Sequence, residues 1–149
     1  MGIDWVAVGS VATAIGVAVA AGSVLYAARQ LRTSKRVSAG DFLLRLDDQM
    51  AKHSDVHMKL RPGGMWADRK TGPKTTEDWT AVEGYMGLFE RIRVLVEAGV
   101  LDLNAVNRFY GYRISNIVAN PVIRTEKLEK RANDWQDFIW LERALEARR

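Results

Sequence analysis

The chain contains no cysteine in 149 residues. Disulfides, zinc–thiolate centres and cysteine nucleophiles are excluded, and with them a disulfide-stapled secreted domain. That absence mildly favours a reducing, cytoplasmic setting for most of the chain. Histidine is almost as scarce, with only His53 and His57. No segment sustains the period-two alternation of a half-buried strand, and no internal repeat or low-complexity tract is present. The first 28 residues also lack charge, Asp4 being their single charged side chain.

That uncharged stretch raises the first structural question. Trp5 to Ala28 is a run of 24 mostly apolar residues, and a bilayer core needs about 20 in a helix. Its polar members, Ser10, Thr13 and Ser23, can bond back to the helix backbone. A cleaved export signal would want a basic start and a shorter apolar run, whereas this chain opens Met1-Gly2-Ile3-Asp4. A buried core helix would need walls on every side, because the segment has no polar stripe. A membrane span is the expectation.

Immediately after it come Arg29, Arg32, Lys35 and Arg36. Basic flanks stay on the cytoplasmic side, so the N-terminus is expected outside and the larger C-terminal part inside. Trp5 and Tyr26 fall near the two interfaces, where amphipathic rings are favoured. The four basic side chains are expected to hold anionic lipid headgroups, at about 1 kcal/mol each. Gly9, Ala12, Gly16 and Ala20 place small residues on one face, a surface for helix–helix contact in the membrane with a second copy or another protein. Residues 37–149 hold 18 of the 22 basic and 17 of the 18 acidic side chains. So near-neutral a domain argues against nucleic-acid binding.

The remaining sequence predicts an all-α fold. Residues 1–28 read as a transmembrane anchor and 29–60 as a basic juxtamembrane stalk helix, roughly 70 Å long if unbroken from Trp5 to Lys52. Ser54 is placed to cap a short turn after it. Residues 61–76 form a loop with Pro62, Pro73 and three glycines. Long loops carry function or mobility, and Trp66 with Arg61, Arg69, Lys70 and Lys74 makes this one a candidate contact. The alternative is a solvated linker with Trp66 folded back onto the core.

Residues 77–149 read as a small antiparallel helical bundle. Thr76 is placed to cap its first helix, with Trp79, Val82, Met86, Phe89 and Val96 on one face and Tyr85, Leu88, Ile92 and Leu95 widening it. Gly99 is placed to end that helix in the left-handed conformation. Asp102 caps the next helix, which carries Val106, Phe109, Tyr110, Ile114 and Ile117. Asn120-Pro121 pairs a cap with the residue best tolerated at a first helical position. A last helix carries Trp135, Phe138, Ile139, Leu141 and Leu145, with Asn133 as an internal cap. Gly84, Gly87 and Gly111 inside these helices each cost roughly 1 kcal/mol relative to Ala, which suggests close approach by a neighbour. Trp140 cannot share a narrow face with Trp135 and Phe138, so it is expected at a partner contact.

The stretch Tyr85 to Leu145 resembles a group of uncharacterised single-pass bacterial and phage membrane proteins. The resemblance lies in the turn Val94-Leu95-Val96-Glu97-Ala98-Gly99-Val100-Leu101-Asp102, in Phe109-Tyr110-Gly111, in Pro121 and Arg124, and in Trp135, Phe138 and Leu141. It implies membrane attachment and a cytoplasmic helical domain of unknown function. It implies no chemistry, because apolar and turn positions specify a fold.

Catalytic signals are sparse. His53 and His57 stand at i, i+4, a spacing that puts two imidazoles on one helix face as a metal site would. The intervening Ser54-Asp55-Val56 lacks the glutamate of a zinc protease. Asp47, Asp48 and Asp55 are oxygen donors nearby, though none is well placed beside both histidines. No nucleophile elbow or phosphate loop is present. Arg91, Arg93, Arg108, Arg113 and Arg124 read as salt-bridged surface residues. The expectation is a non-enzymatic membrane protein without cofactor, either an accessory subunit or a homo-oligomer. Its partners would be the bilayer and another membrane protein or itself. The alternative is a membrane-tethered effector or metal-dependent enzyme with its site at His53, His57 and the 61–74 loop.

Overall fold

The order of caps along the chain sets the order of helices. In the computed structural model, which describes residue 30, residues 40–67 and residues 71–148, helix α1 covers 40–52 and α2 covers Ser54–Leu60. They are followed by α3 (Thr76–Glu97), α4 (Leu103–Ala119), a short α5 (Pro121–Ile123), a π-helical stretch Arg124–Glu129 and α6 (Gln136–Glu146). Every regular element among the described residues is helical. Among them no helix is long and apolar enough to cross a membrane. The expected span, with Trp5, Tyr26 and the Gly9, Ala12, Gly16 and Ala20 face, lies outside the described residues, as do the basic group Arg29, Arg32, Lys35 and Arg36 and the loop cations Arg69 and Lys70.

The stalk expected over 29–60 is corrected from residue 40 onward. Leu46 and Met50 on α1 and Val56 and Leu60 on α2 are each no more than 3% exposed and belong to the main hydrophobic core. Residues 39–149 form one unit, so the bundle starts almost 40 residues before the expected boundary at 77. A helix read as a stalk by its charged positions still buries its i, i+4 apolar pair when the bundle offers a surface. A turn at His53 separates α1 from α2, and Ser54 does not cap α2, whose N-cap His53 makes no side-chain bond.

α3 begins in a capping box. Asp78 N–H donates to Thr75 Oγ1 at 3.1 Å, and Thr75 N–H donates to Asp78 Oδ2 at 3.3 Å. The cap is therefore Thr75 and not Thr76, because only Thr75 has an acid three residues on. The helix ends at Gly99, whose φ of 67° places it in the left-handed region. There Gly99 N–H donates to Val96 O and Val100 N–H to Leu95 O, which satisfies the last carbonyls. Asp102 then caps α4 through Ala105 N–H. Asn133 caps nothing: α6 starts at Gln136 without a side-chain cap.

The core is an aromatic file. α3 packs most extensively on α6. Tyr85, Phe89 and Phe138 meet edge-to-face, with centroids 5.2 and 6.0 Å apart and interplanar angles of 77° and 79°. On α4 the buried side chains are Val106, Tyr110, Ile114 and Ile117, with Gly111 buried beside them. Phe109, expected among them, is 53% exposed, because it lies one position off that row and turns about 100° away. Gly87 has open space beside it, while a Cβ on Gly84 would come within 2.8 Å of the His53 ring. The close approach is thus real at Gly84, and it is made by a side chain.

Two buried polar groups hold the parts together. Asn120, 1% exposed, accepts from Ile123 N–H and donates from Nδ2 to Trp66 O at 2.9 Å and Thr71 O at 2.8 Å. Lys127, on the π-helical stretch, is 6% exposed, pairs with Glu83 and lies 4.7 Å from the Trp79 ring centre. Its burial is tolerable because carboxylate and ring both compensate the charge.

Candidate functional site

The sequence nominated two tryptophans and two histidines, and the fold treats each pair differently. Trp66 is 3% exposed, which corrects its assignment as a partner contact. Gly64 makes the fold-back possible: a Cβ there would lie 2.3 Å from the Lys59 and Met58 carbonyl oxygens, so only glycine fits. The chain then doubles back, Trp66 N–H donates to Lys59 O, and the Lys59 ammonium sits 4.8 Å from the indole centre. Asn120 ties down the carbonyls of Trp66 and Thr71.

Trp140 remains at the surface, 42% exposed. α6 turns Phe138, Leu141 and Leu145 inward, which leaves Gln136, Ile139, Trp140, Arg143 and Ala144 on the other side. With Ala132 and Asn133 they line an open groove of about 590 Å³. The Arg93 guanidinium carbon lies 4.8 Å from the centre of the Trp140 ring, and Arg93 is itself held by Glu97 and by Asp137 at 3.1 Å. A stacked guanidinium fixes one face of the indole and leaves the rest open. Arg93 was legible only as a surface cation; its stacking needs the α3–α6 packing.

The histidines do not act as one pair. His53, at the α1–α2 turn, lies against Tyr85 of α3 with centroids 6.0 Å apart. His57 meets Tyr112 of α4 edge-on at 5.8 Å. Among the described residues no three His, Cys, Asp or Glu side chains gather where a metal could be held. His53 is the N-cap of α2 and its carbonyl still accepts from His57 N–H, but its backbone is not helical and the two rings pack against different helices. Beside them the fold gathers groups that the sequence had not joined to the histidines. Arg113 Nε donates to the Tyr112 hydroxyl at 2.9 Å. The Tyr110 hydroxyl donates to Asp47 Oδ1 at 2.8 Å. The Tyr85 hydroxyl is buried without a hydrogen bond of normal geometry, and burial pushes its pKa up to about 12 against the pull of Arg113.

Both imidazoles are held below their ordinary pKa. At His57 burial is the main cause, followed by Arg113 and Arg61. At His53 burial again leads, the Ala81 backbone opposes it, and Arg91 and Lys52 add to it. A histidine with a lowered folded pKa takes up its proton more readily in the unfolded chain. Its stabilising effect is therefore complete above about pH 6.5 and is lost as pH falls from there toward the folded pKa. The thermal midpoint is expected to fall between about pH 7.5 and about pH 5.5. The His53→Gln/His57→Gln variant should show a shallower fall. Glu90, raised by burial and then by Asp137, slopes the other way in both proteins, so the difference between them isolates the histidines. Equal slopes would remove the assignment.

Comparison with known proteins finds no matching family model, no matching curated protein and no matching solved structure. The resemblance noted for Tyr85–Leu145 therefore stands on those residues alone.

Proposed function

We propose that this chain is a membrane-anchored, non-enzymatic interaction protein, an accessory subunit of a larger membrane complex or a homo-oligomer. The observation that carries the reading is the uncharged run Trp5–Ala28 followed at once by four basic residues. In this reading that run spans the cell membrane with its N-terminus outside. Arg29, Arg32, Lys35 and Arg36 engage lipid headgroups. The Gly9, Ala12, Gly16 and Ala20 face packs on a second span. The helical bundle lies on the cytoplasmic side and presents Trp140. A tryptophan braced by an arginine beside an open groove has the composition of an interface anchor, since Trp and Arg dominate such anchors.

The test is extraction of native membranes. The chain is expected to stay in the pellet through alkaline carbonate, enter a mild non-ionic detergent, and run there with a partner protein or with copies of itself. Trp140→Ser is expected to weaken a partner held at the bundle by about 2 kcal/mol, or roughly 30-fold. Gly16→Ile should instead disrupt association through the span. Release by carbonate would sink the membrane reading. A monomer in detergent with nothing bound would sink the interaction reading.

A further inference from the structure

Four basic side chains among the described residues are not fully exposed: Lys59, Arg93, Arg113 and Lys127. Three have carboxylate partners. Lys59 pairs with Asp55 and Asp78, Arg93 with Glu97 and Asp137, and Lys127 with Glu83. Arg113 alone has no carboxylate within ion-pair distance among the described residues; its Nε donates to the Tyr112 hydroxyl, and the guanidinium also interacts with the Tyr85 hydroxyl. Half-buried charge without a counter-charge is costly, and proteins commonly retain it where something else supplies the opposite sign.

The surroundings supply donors. Tyr112 is 49% exposed and accepts from Arg113 Nε, so its own O–H is free to donate outward. His57 packs edge-on to that ring. Arg61, exposed at the end of α2, acts with Arg113 as a positive charge on His57. The Tyr85 hydroxyl, buried and without a normal hydrogen bond, has Arg113 as a charged neighbour. The carboxylate beside this cluster, Asp47, is taken up by the Tyr110 hydroxyl. The Nη atoms of Arg113 offer the fork geometry that matches two oxygens of an oxyanion. Two guanidinium charges exceed what one carboxylate would neutralise, and a phosphate carries up to two charges and three free oxygens.

We propose that the junction of α2 and α4 binds a phosphate group, held by the Arg113 fork with the Tyr112 hydroxyl, His57 and Arg61 as the other donors. The group can come from a lipid headgroup or from a soluble phosphate. The site does not depend on the membrane reading, because the soluble source requires no bilayer.

The experiment follows the His57 imidazole resonance of the whole chain in non-ionic detergent at constant ionic strength. The probes are inorganic phosphate, a short-chain phosphatidic acid and, as the net-neutral, zwitterionic control whose phosphate is a diester masked by choline, a short-chain phosphatidylcholine. A saturable shift is expected with phosphate, with phosphatidic acid or with both, and weaker or absent with phosphatidylcholine. Response to inorganic phosphate identifies a soluble source as sufficient; response to phosphatidic acid alone identifies the headgroup. Arg113→Gln should weaken binding about tenfold or more, and Arg113→Lys should fall between, keeping charge without the fork. If Arg113→Gln fails to fold, Tyr112→Phe at its exposed position decides, with about threefold or greater weakening expected. No saturable shift with either phosphate probe up to about 10 mM, or affinity unchanged in the deciding variant, overturns the site.

Discussion

Asn120→Asp is expected to lower the unfolding free energy of the bundle by about 3–5 kcal/mol, the cost of an uncompensated buried charge. The change is nearly isosteric, so it isolates chemistry from volume. The Asn120 amide, 1% exposed, gives its two N–H groups to the carbonyls of Trp66 and Thr71. A carboxylate there would face two carbonyl oxygens with no proton to offer, and would either take up a proton or push the loop away. Oδ1 would still accept from Ile123 N–H, so the start of α5 should survive. Hydrogen exchange should therefore accelerate at Trp66 and nearby loop amides more than in α4. Asn120→Ala, which orphans the same carbonyls without adding charge, should cost less, about 2–3 kcal/mol. A loss under about 1 kcal/mol for Asn120→Asp would show that the loop holds without this pin.

Phe89→Ala is expected to cost about 3–5 kcal/mol. Phe89 is 0% exposed and stands between Tyr85 and Phe138, touching both edge-to-face. Truncation removes its transfer free energy, two aromatic contacts and the link between α3 and α6 at their most extensive contact. The natural comparison is Phe109→Ala at 53% exposure, expected within about 0.5 kcal/mol of the parent. Urea unfolding followed by far-ultraviolet circular dichroism measures both. Similar losses for the two would contradict the packing described.

These two phenylalanines also mark how far the sequence can be read. Both were expected on buried helix faces. Phe89 falls on a broad apolar stripe, and a stripe that wide has only one way to avoid water. Phe109 falls one position from a narrower row on α4, and periodicity alone could not exclude it. The candidate site was legible in the same uneven way. The exposure of Trp140 follows from its angle on α6, whereas the isolation of Arg113 depends on which helices surround it.

The sequence by itself determined the all-helical character of the bundle and most of its punctuation. Gly99, Asp102 and Asn120-Pro121 act within four residues of themselves, through backbone conformation and local hydrogen bonds, so no tertiary information is needed to read them. Tertiary structure alone decided that α1 and α2 belong to the bundle, that Trp66 turns inward and that Lys127 is buried. Those outcomes rest on contacts distant in sequence: Asp47 with Tyr110 across 63 positions, Trp66 with Asn120 across 54, Glu83 with Lys127 across 44. An apolar or charged side chain has a local preference for a face, but its partner is chosen by the packing of helices that do not adjoin it in sequence.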